Sequence, residues 1–139
     1  MFVVSESPIN REDLVNSVES PEAGAIAIFD GVVRNNSEGN KVLRMEYEAH
    51  QNMVEKMMRD LADETKKKFP VLAISMQHRT RMLEIGESSV LIAVSSAHRG
   101  DAFQACRYVI DTLKVTFPIW KKEYFEKGSD WVEGTPVKV

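Results

Sequence analysis

Apolar positions recur along the chain in two rhythms, one of period two and one near 3.6, and the switches between them predict its elements. Phe2 to Ser5 alternates weakly, as an edge strand does, and Ser7-Pro8 precedes a short helical pattern with Leu14, Val15 and Val18 on one face. Pro21 and Gly24 bracket a turn, after which Ala25 to Val33 is rich in β-branched and aromatic residues and reads as a strand. Asn35 to Asn40 is a polar loop. From Lys41 onward Val42, Leu43, Met45 and Tyr47 alternate imperfectly with Arg44, Glu46 and Glu48, which predicts a second strand forming a hairpin with the first.

Between Gln51 and Phe69, Met53, Val54, Met57, Met58, Leu61, Ala62 and Phe69 fall at helical spacing. Lys66, Lys67 and Lys68 in the last turn complement the negative end of the helix dipole, and Pro70 forbids continuation. Two more strands follow, Val71 to His78 and Ser88 to Ser96, with a turn signal at Gly86. A third helix is expected from an N-cap at Asp101 to Phe117, before Pro118. A short strand and turn close the pattern. Hairpins mixed with two long helices define an α+β fold with a mixed or antiparallel sheet.

Bulk properties narrow the classes. At 139 residues the chain is expected to be one domain spanning 1–139, with Thr135 to Val139 as a loose tail. Cys106 is the lone cysteine and no secretory leader pattern stands at Met1, so a cytoplasmic protein is expected. No apolar run approaches the roughly 20 residues of a membrane span. His50, His78 and His98 lack the spacing of a zinc site, and neither a GxxxxGK[ST] loop nor a GxGxxG turn occurs, so neither metal nor nucleotide cofactor is expected.

Charge changes the picture. His98, Arg99, Arg107, Lys114, Lys121 and Lys122 surround the third helix of a chain whose net charge is −3 and whose pI is about 5.7. A local cluster on an acidic protein suits a small phosphorylated or carboxylated ligand better than nucleic acid, which calls for a basic face. At helical spacing Phe103, Cys106, Val109, Ile110, Leu113 and Phe117 form an apolar stripe, with Lys114 on its border beside Arg107. Desolvation and neighbouring cations would depress the Lys114 pKa and make the amine reactive, although the same pattern fits a lysine whose stem merely covers the core. Strand alternation sends Lys121 and Lys122 to opposite sides, so at most one shares a pocket with Lys114. His98-Arg99, between strand and helix, could hold an anion or simply end a loop, and Arg34 is equally ambiguous. Cys106 reads as a buried small hydrophobe. Phe103, Phe117 and Trp120 read as core-facing, against a single-stranded nucleic-acid binder.

The chain resembles the catalytic large-subunit family of molybdopterin synthase. The likeness runs through Gly24-Ala-Ile-Ala-Ile-Phe-Asp-Gly-Val-Val-Arg-Asn35, Met45-Glu-Tyr-Glu-Ala49, Ser96-Ala-His-Arg99 with Ala102-Phe103, Asp111-Thr-Leu-Lys114, Pro118-Ile-Trp-Lys-Lys-Glu123 and Trp131-Val-Glu133. It implies an α/β-hammerhead fold and a homodimer that binds two copies of a small ubiquitin-like sulfur carrier ending in Gly-Gly, a heterotetramer. It implies sulfur transfer from the carrier's C-terminal thiocarboxylate to cyclic pyranopterin monophosphate, giving the molybdopterin dithiolene. Two anions must then meet, which fixed cations would make tolerable. By resemblance Lys114 and Lys121 are catalytic. They would polarise the thiocarboxylate carbonyl and stabilise oxyanions, with a neutral Lys114 attacking the acyl carbon or moving protons. Val32, Val33, Arg34, His98 and Arg99 would hold pterin and phosphate, some from the dimer mate, and Lys122 and Glu123 would shape the pocket edge. Family members often carry a basic tail after the Trp-Val-Glu segment, whereas this sequence has only Thr135-Pro-Val-Lys-Val139 there, so a tail cation reaching into the neighbouring subunit is not expected. A non-catalytic adaptor that captures a ubiquitin-like C-terminus in a basic groove is the alternative.

Overall fold

Period-two stretches become sheet and 3.6-period stretches become helix in this computed structural model, which describes residues 1–126 and 128–132. The order is β1 (Phe2–Ser5), α1 (Arg11–Asn16), β2 (Ala25–Val32), β3 (Asn36–Ser37), β4 (Asn40–Ala49), α2 (Gln51–Lys68), β5 (Val71–Arg79), β6 (Arg81–Glu84), β7 (Ser88–Ser96), α3 (Arg99–Thr116), β8 (Ile119–Phe125) and β9 (Gly128–Val132). The α+β class and the two long helices are as expected. Thr135 to Val139 lie outside the described residues.

Two sheets share the core. The first has the order β1-β5-β7-β2, with β1 parallel to β5 and the other pairs antiparallel. The second runs β3-β4-β8-β9, and β6 joins it along β4. β7 is apolar on both faces because both are covered: Val90, Ile92 and Val94 belong to the main core with α2 and α3, whereas Leu91 and Ala93 pack against Leu14 and Val18 of the α1 segment. Met45, Tyr47, Leu83 and Ile119 bring the second sheet into the main core.

The expected hairpin between the Ala25–Val33 strand and the Lys41 strand does not form. β2 pairs along its length with β7, while β4 takes β3, β6 and β8 as neighbours. Sequence proximity loses to the larger apolar surface that β2 buries beside β7. The intervening polar stretch is itself a tight hairpin. Glu38 and Gly39 both have positive φ, 51° and 85°, as a two-residue turn of the primed type requires, and Ser37 pairs with Asn40.

α2 matches its pattern to its stop: His50 caps it by accepting from the Met53 N–H, and Phe69 ends it before Pro70. α3 begins earlier than expected. Its N-cap position is His98, whose side chain makes no capping bond, and Asp101 sits in the first turn, where a carboxylate still complements the dipole. Cys106, Val109, Ile110, Leu113 and Phe117 are buried, but Phe103 is 68% exposed and Trp120 is 42% exposed. Neither of those two aromatics faces the core.

At the start of β2 the Gly24 N–H donates to the Ser96 carbonyl, and a Cβ on residue 24 would overlap the Ala97 carbonyl. Gly24→Ala should therefore force β2 away from the segment that leads into His98, lowering stability by about 1–3 kcal/mol in urea unfolding.

Candidate functional site

Five elements converge on one polar cluster inside the main core. Lys114 projects from the last turn of α3 and is half-buried. Lys121 and Glu123 occupy alternate positions on β8, in register with Tyr47 and Met45 of β4, so all four share a face. Glu123 is only 4% exposed, and its carboxylate lies 3.8 Å from the Lys121 ammonium. β5 contributes His78, whose ring meets that of Tyr47 nearly edge-on, centroids 5.2 Å apart. β7 contributes Ser89, a hydrogen-bond partner of Tyr47 that also donates to the Gly31 carbonyl at 3.0 Å. Val90 pairs with Gly31 and Ser88 with Val32, so Ser89 is skipped at an irregularity of the ladder. Such bulges re-aim side chains.

Electrostatics in the cluster follow from dryness. Burial, and then repulsion from Lys121, hold the Lys114 amine below the usual lysine range. Burial raises the Tyr47 phenol, against the Ser89 bond and with a smaller push from Glu123. His78 is pushed down to about 4, first by burial and further by Lys114, with the Arg79 carbonyl opposing. Cys106 is pushed up to about 11 by burial, which suits an inert thiol.

His78 makes stability depend on pH. Its folded pKa of about 4 lies below the ordinary 6.5, so the unfolded chain binds the proton first as pH falls. Its contribution, about 3 kcal/mol, is complete above pH 6.5 and is lost between there and pH 4. Urea midpoints measured across that window should fall with pH in the wild type, and more weakly in His78→Phe.

The residues expected at the site divide into groups. Lys114, Lys121 and Glu123 come together. Lys122 stands on the opposite face of β8, its ammonium over the Tyr124 ring. Val33 is buried, with its backbone N–H and carbonyl bonded to Glu87 and Gly86, so it anchors the exposed Arg34. Val32 is exposed at the end of β2. α3 runs back along β7, which puts Lys114 and Arg34 at one end of the first sheet. His98 and Arg99 are exposed at the other end, on the order of 25 Å away along β7. Tyr47, His78 and Ser89 were not singled out from sequence. The one signal for them is polar atoms at inward positions of otherwise apolar strands.

The half-buried Lys114 lies close enough to Lys121 for the two charges to repel, with Glu123 beside Lys121 and the Tyr47 and His78 rings on the neighbouring strands. A family model described as MoaE protein matches residues 4–116, and the chain belongs to this family. It is 48% identical over 126 residues to the molybdopterin synthase catalytic subunit of Thermoplasma volcanium, covering 91% of this chain and 92% of that one. The crystal structure of molybdopterin synthase from Staphylococcus aureus superposes with a TM-score of 0.91 at 40% identity, over 95% of this chain and 96% of that one. The fold is also that of a chain in the complex of subunits 1 and 2 of molybdopterin-converting factor from Helicobacter pylori. That match has a TM-score of 0.75 at 19% identity, over 94% and 88% of the two chains. These relatives set the chain among enzymes of molybdopterin synthesis and do not favour the adaptor reading.

Proposed function

We propose that this chain is the sulfur-transferring subunit of a molybdopterin synthase. A small ubiquitin-like partner ending in Gly-Gly would bring a C-terminal thiocarboxylate, and cyclic pyranopterin monophosphate would accept the sulfur. The supporting observation is the Lys114–Lys121 pair: one amine held below its usual pKa beside one ammonium balanced by Glu123.

The two lysines suit different tasks. Thiocarboxylate sulfur attacks an oxygen-bearing carbon of the pterin side chain. The carbon–oxygen bond there breaks with its oxygen leaving protonated or on the phosphate, and the carrier stays attached through an acyl–sulfur bond. Water then adds to the acyl carbon, its proton passing to neutral Lys114 while the Lys121 ammonium holds the oxyanion. The acyl–sulfur bond breaks, the thiolate stays on the pterin, and the carrier leaves as a carboxylate. A second carrier repeats the transfer to complete the dithiolene.

Phosphate and pterin would be held by Arg34, the exposed Val32 and the His98-Arg99 corner, where an 18-residue helix offers its N-terminal N–H groups. One chain cannot bring both ends of its sheet to one ligand, so His98 and Arg99 would come from a second copy. β2 is the last strand of its sheet, with Ile28 and Val32 about half exposed along it and Phe103 beside it on α3. A two-fold axis at that edge would set the His98 end of one copy against the Lys114 end of the other. Lys122, on the outer face, is assigned no contact with the reacting atoms.

The test is reconstitution with thiocarboxylated carrier and pterin precursor. The wild type should form dithiolene; carrier binding without product would return the chain to the adaptor class. Ile28→Asp with Phe103→Asp should yield monomers by light scattering, with turnover down about a hundredfold or more.

A further inference from the structure

Two ion pairs among the described residues bury their cation. One is Lys121–Glu123 of the lysine cluster; the other, Arg79–Glu87, has no task in the transfer chemistry. The Arg79 side chain is 12% exposed, against 68% for Arg81 in its surface pair with Glu6. A guanidinium taken this far out of water is costly unless its donors are placed, so what it holds is informative.

Arg79 is the last residue of β5 and is fixed at its base. Its Nε donates to the Glu6 carbonyl at 3.1 Å, and the N–H of Thr80 donates to the Ser5 carbonyl at 2.9 Å. One terminal nitrogen reaches the Glu87 carboxylate at 2.8 Å. The other oxygen of that carboxylate accepts the Glu84 N–H at 2.7 Å, while the Glu87 N–H donates to the Glu84 carbonyl at 3.1 Å. The turn from β6 into β7 is therefore closed twice, by backbone and by side chain, around Gly86 with its φ of 87°. This turn carries the end of β2: Val33 donates to the Glu87 carbonyl at 2.9 Å and accepts from the Gly86 N–H at 2.8 Å. Asn35 is pinned from the other sheet, its carbonyl accepting the Val42 N–H at 2.9 Å. Arg34 lies between these anchors, exposed, and its guanidinium has no ion pair among the described residues.

We infer that Glu87 and Arg79 are positioning residues for Arg34: their ion pair stiffens the Glu84–Glu87 turn, and the turn fixes, through Val33, the point at which Arg34 leaves the sheet toward an anion. The inference rests on Arg34 as a phosphate-holding residue, and it adds what preorganises so exposed an arginine. An arginine on a fraying strand end must be ordered afresh by each ligand, at a cost in affinity.

Reconstituted sulfur transfer and amide exchange test it together. Glu87→Ala should raise the KM for cyclic pyranopterin monophosphate about tenfold with kcat within about twofold, because what weakens is uniform binding of the phosphate. Arg79→Ala should do the same. Arg34→Ala should raise KM at least as far, and adding Glu87→Ala to it should cost less than about a further twofold, since the clamp then has nothing to aim. Losses that multiply overturn the inference, as does a wild-type KM in Glu87→Ala. A wild-type KM in Arg34→Ala also overturns it, while leaving sulfur transfer intact. Amide exchange reads the clamp without turnover: in Glu87→Ala the Val33 amide should exchange about tenfold faster or more, with that of Ile92 in central β7 unchanged. No change at Val33, or equal acceleration at both amides, overturns the inference. Should Glu87→Ala fail to fold, Glu87→Gln is read in the same way; it keeps an acceptor for the Glu84 N–H and loses the charge facing Arg79. If the wild type forms no dithiolene, the functional reading falls, and the exchange rates still decide whether the pair holds the strand end.

Discussion

Lys114→Ala should still bind the thiocarboxylated carrier yet lose dithiolene formation by about a thousandfold or more. Truncation removes the amine that burial and Lys121 keep below its ordinary pKa, while the carrier's docking surface keeps its shape. Carrier affinity by titration calorimetry should change by less than about threefold, because a residue acting on the bond-breaking step contributes little to the ground-state complex. Lys114→Arg restores charge without a deprotonatable amine and should recover little turnover. Full recovery in Lys114→Arg would reduce the residue to a fixed cation. Equal losses of affinity and turnover in Lys114→Ala would make it a docking residue.

Inactive variants should rescue one another. If Lys114 of one copy works with His98 and Arg99 of the other, Lys114→Ala and Arg99→Ala are each inactive alone. A mixed dimer carries one intact site, built from the Lys114 of one chain and the Arg99 of the other. Random exchange at equal amounts makes half of the dimers mixed, so the mixture should recover about a quarter of wild-type turnover from two nearly inactive stocks. Recovery at that level requires a shared site. No recovery after verified subunit exchange would place all the working groups within one chain.

Helices were the most legible part of the fold. The Gln51–Phe69 pattern, its lysine-rich last turn and Pro70 set the bounds of α2 almost to the residue. Strand identities were readable too, but partners were not. β2 and β4 are near neighbours in sequence with compatible patterns, and nothing local reveals that β7 will take one and β8 the other. β6 is four residues long and was missed because Arg81 and Glu84 break its alternation. The N-cap of α3 was misplaced because Asp101 is a better capping residue than His98, yet the strand end and the helix leave room only for His98. Lys114 was legible as a border residue of an apolar stripe. Phe103 and Trp120 misled because sequence cannot separate an aromatic that fills the core from one left at a free edge. His78 stayed hidden because its significance comes from a ring on the other sheet, 31 positions earlier in the chain.

β7 spans the distance between the lysine cluster and the His98-Arg99 corner. It begins at Ser88–Ser89, beside the lysine cluster, and ends at Ser96, two residues before His98. Both of its edges are paired and both of its faces are covered, so its amides belong to the part of the protein that opens last. The strand works as a ruler about 27 Å long, eight residue steps from Ser88 to Ser96. In a shared-site dimer, how far apart the two reaction chambers stand would be decided by that length, with little left to loop motion.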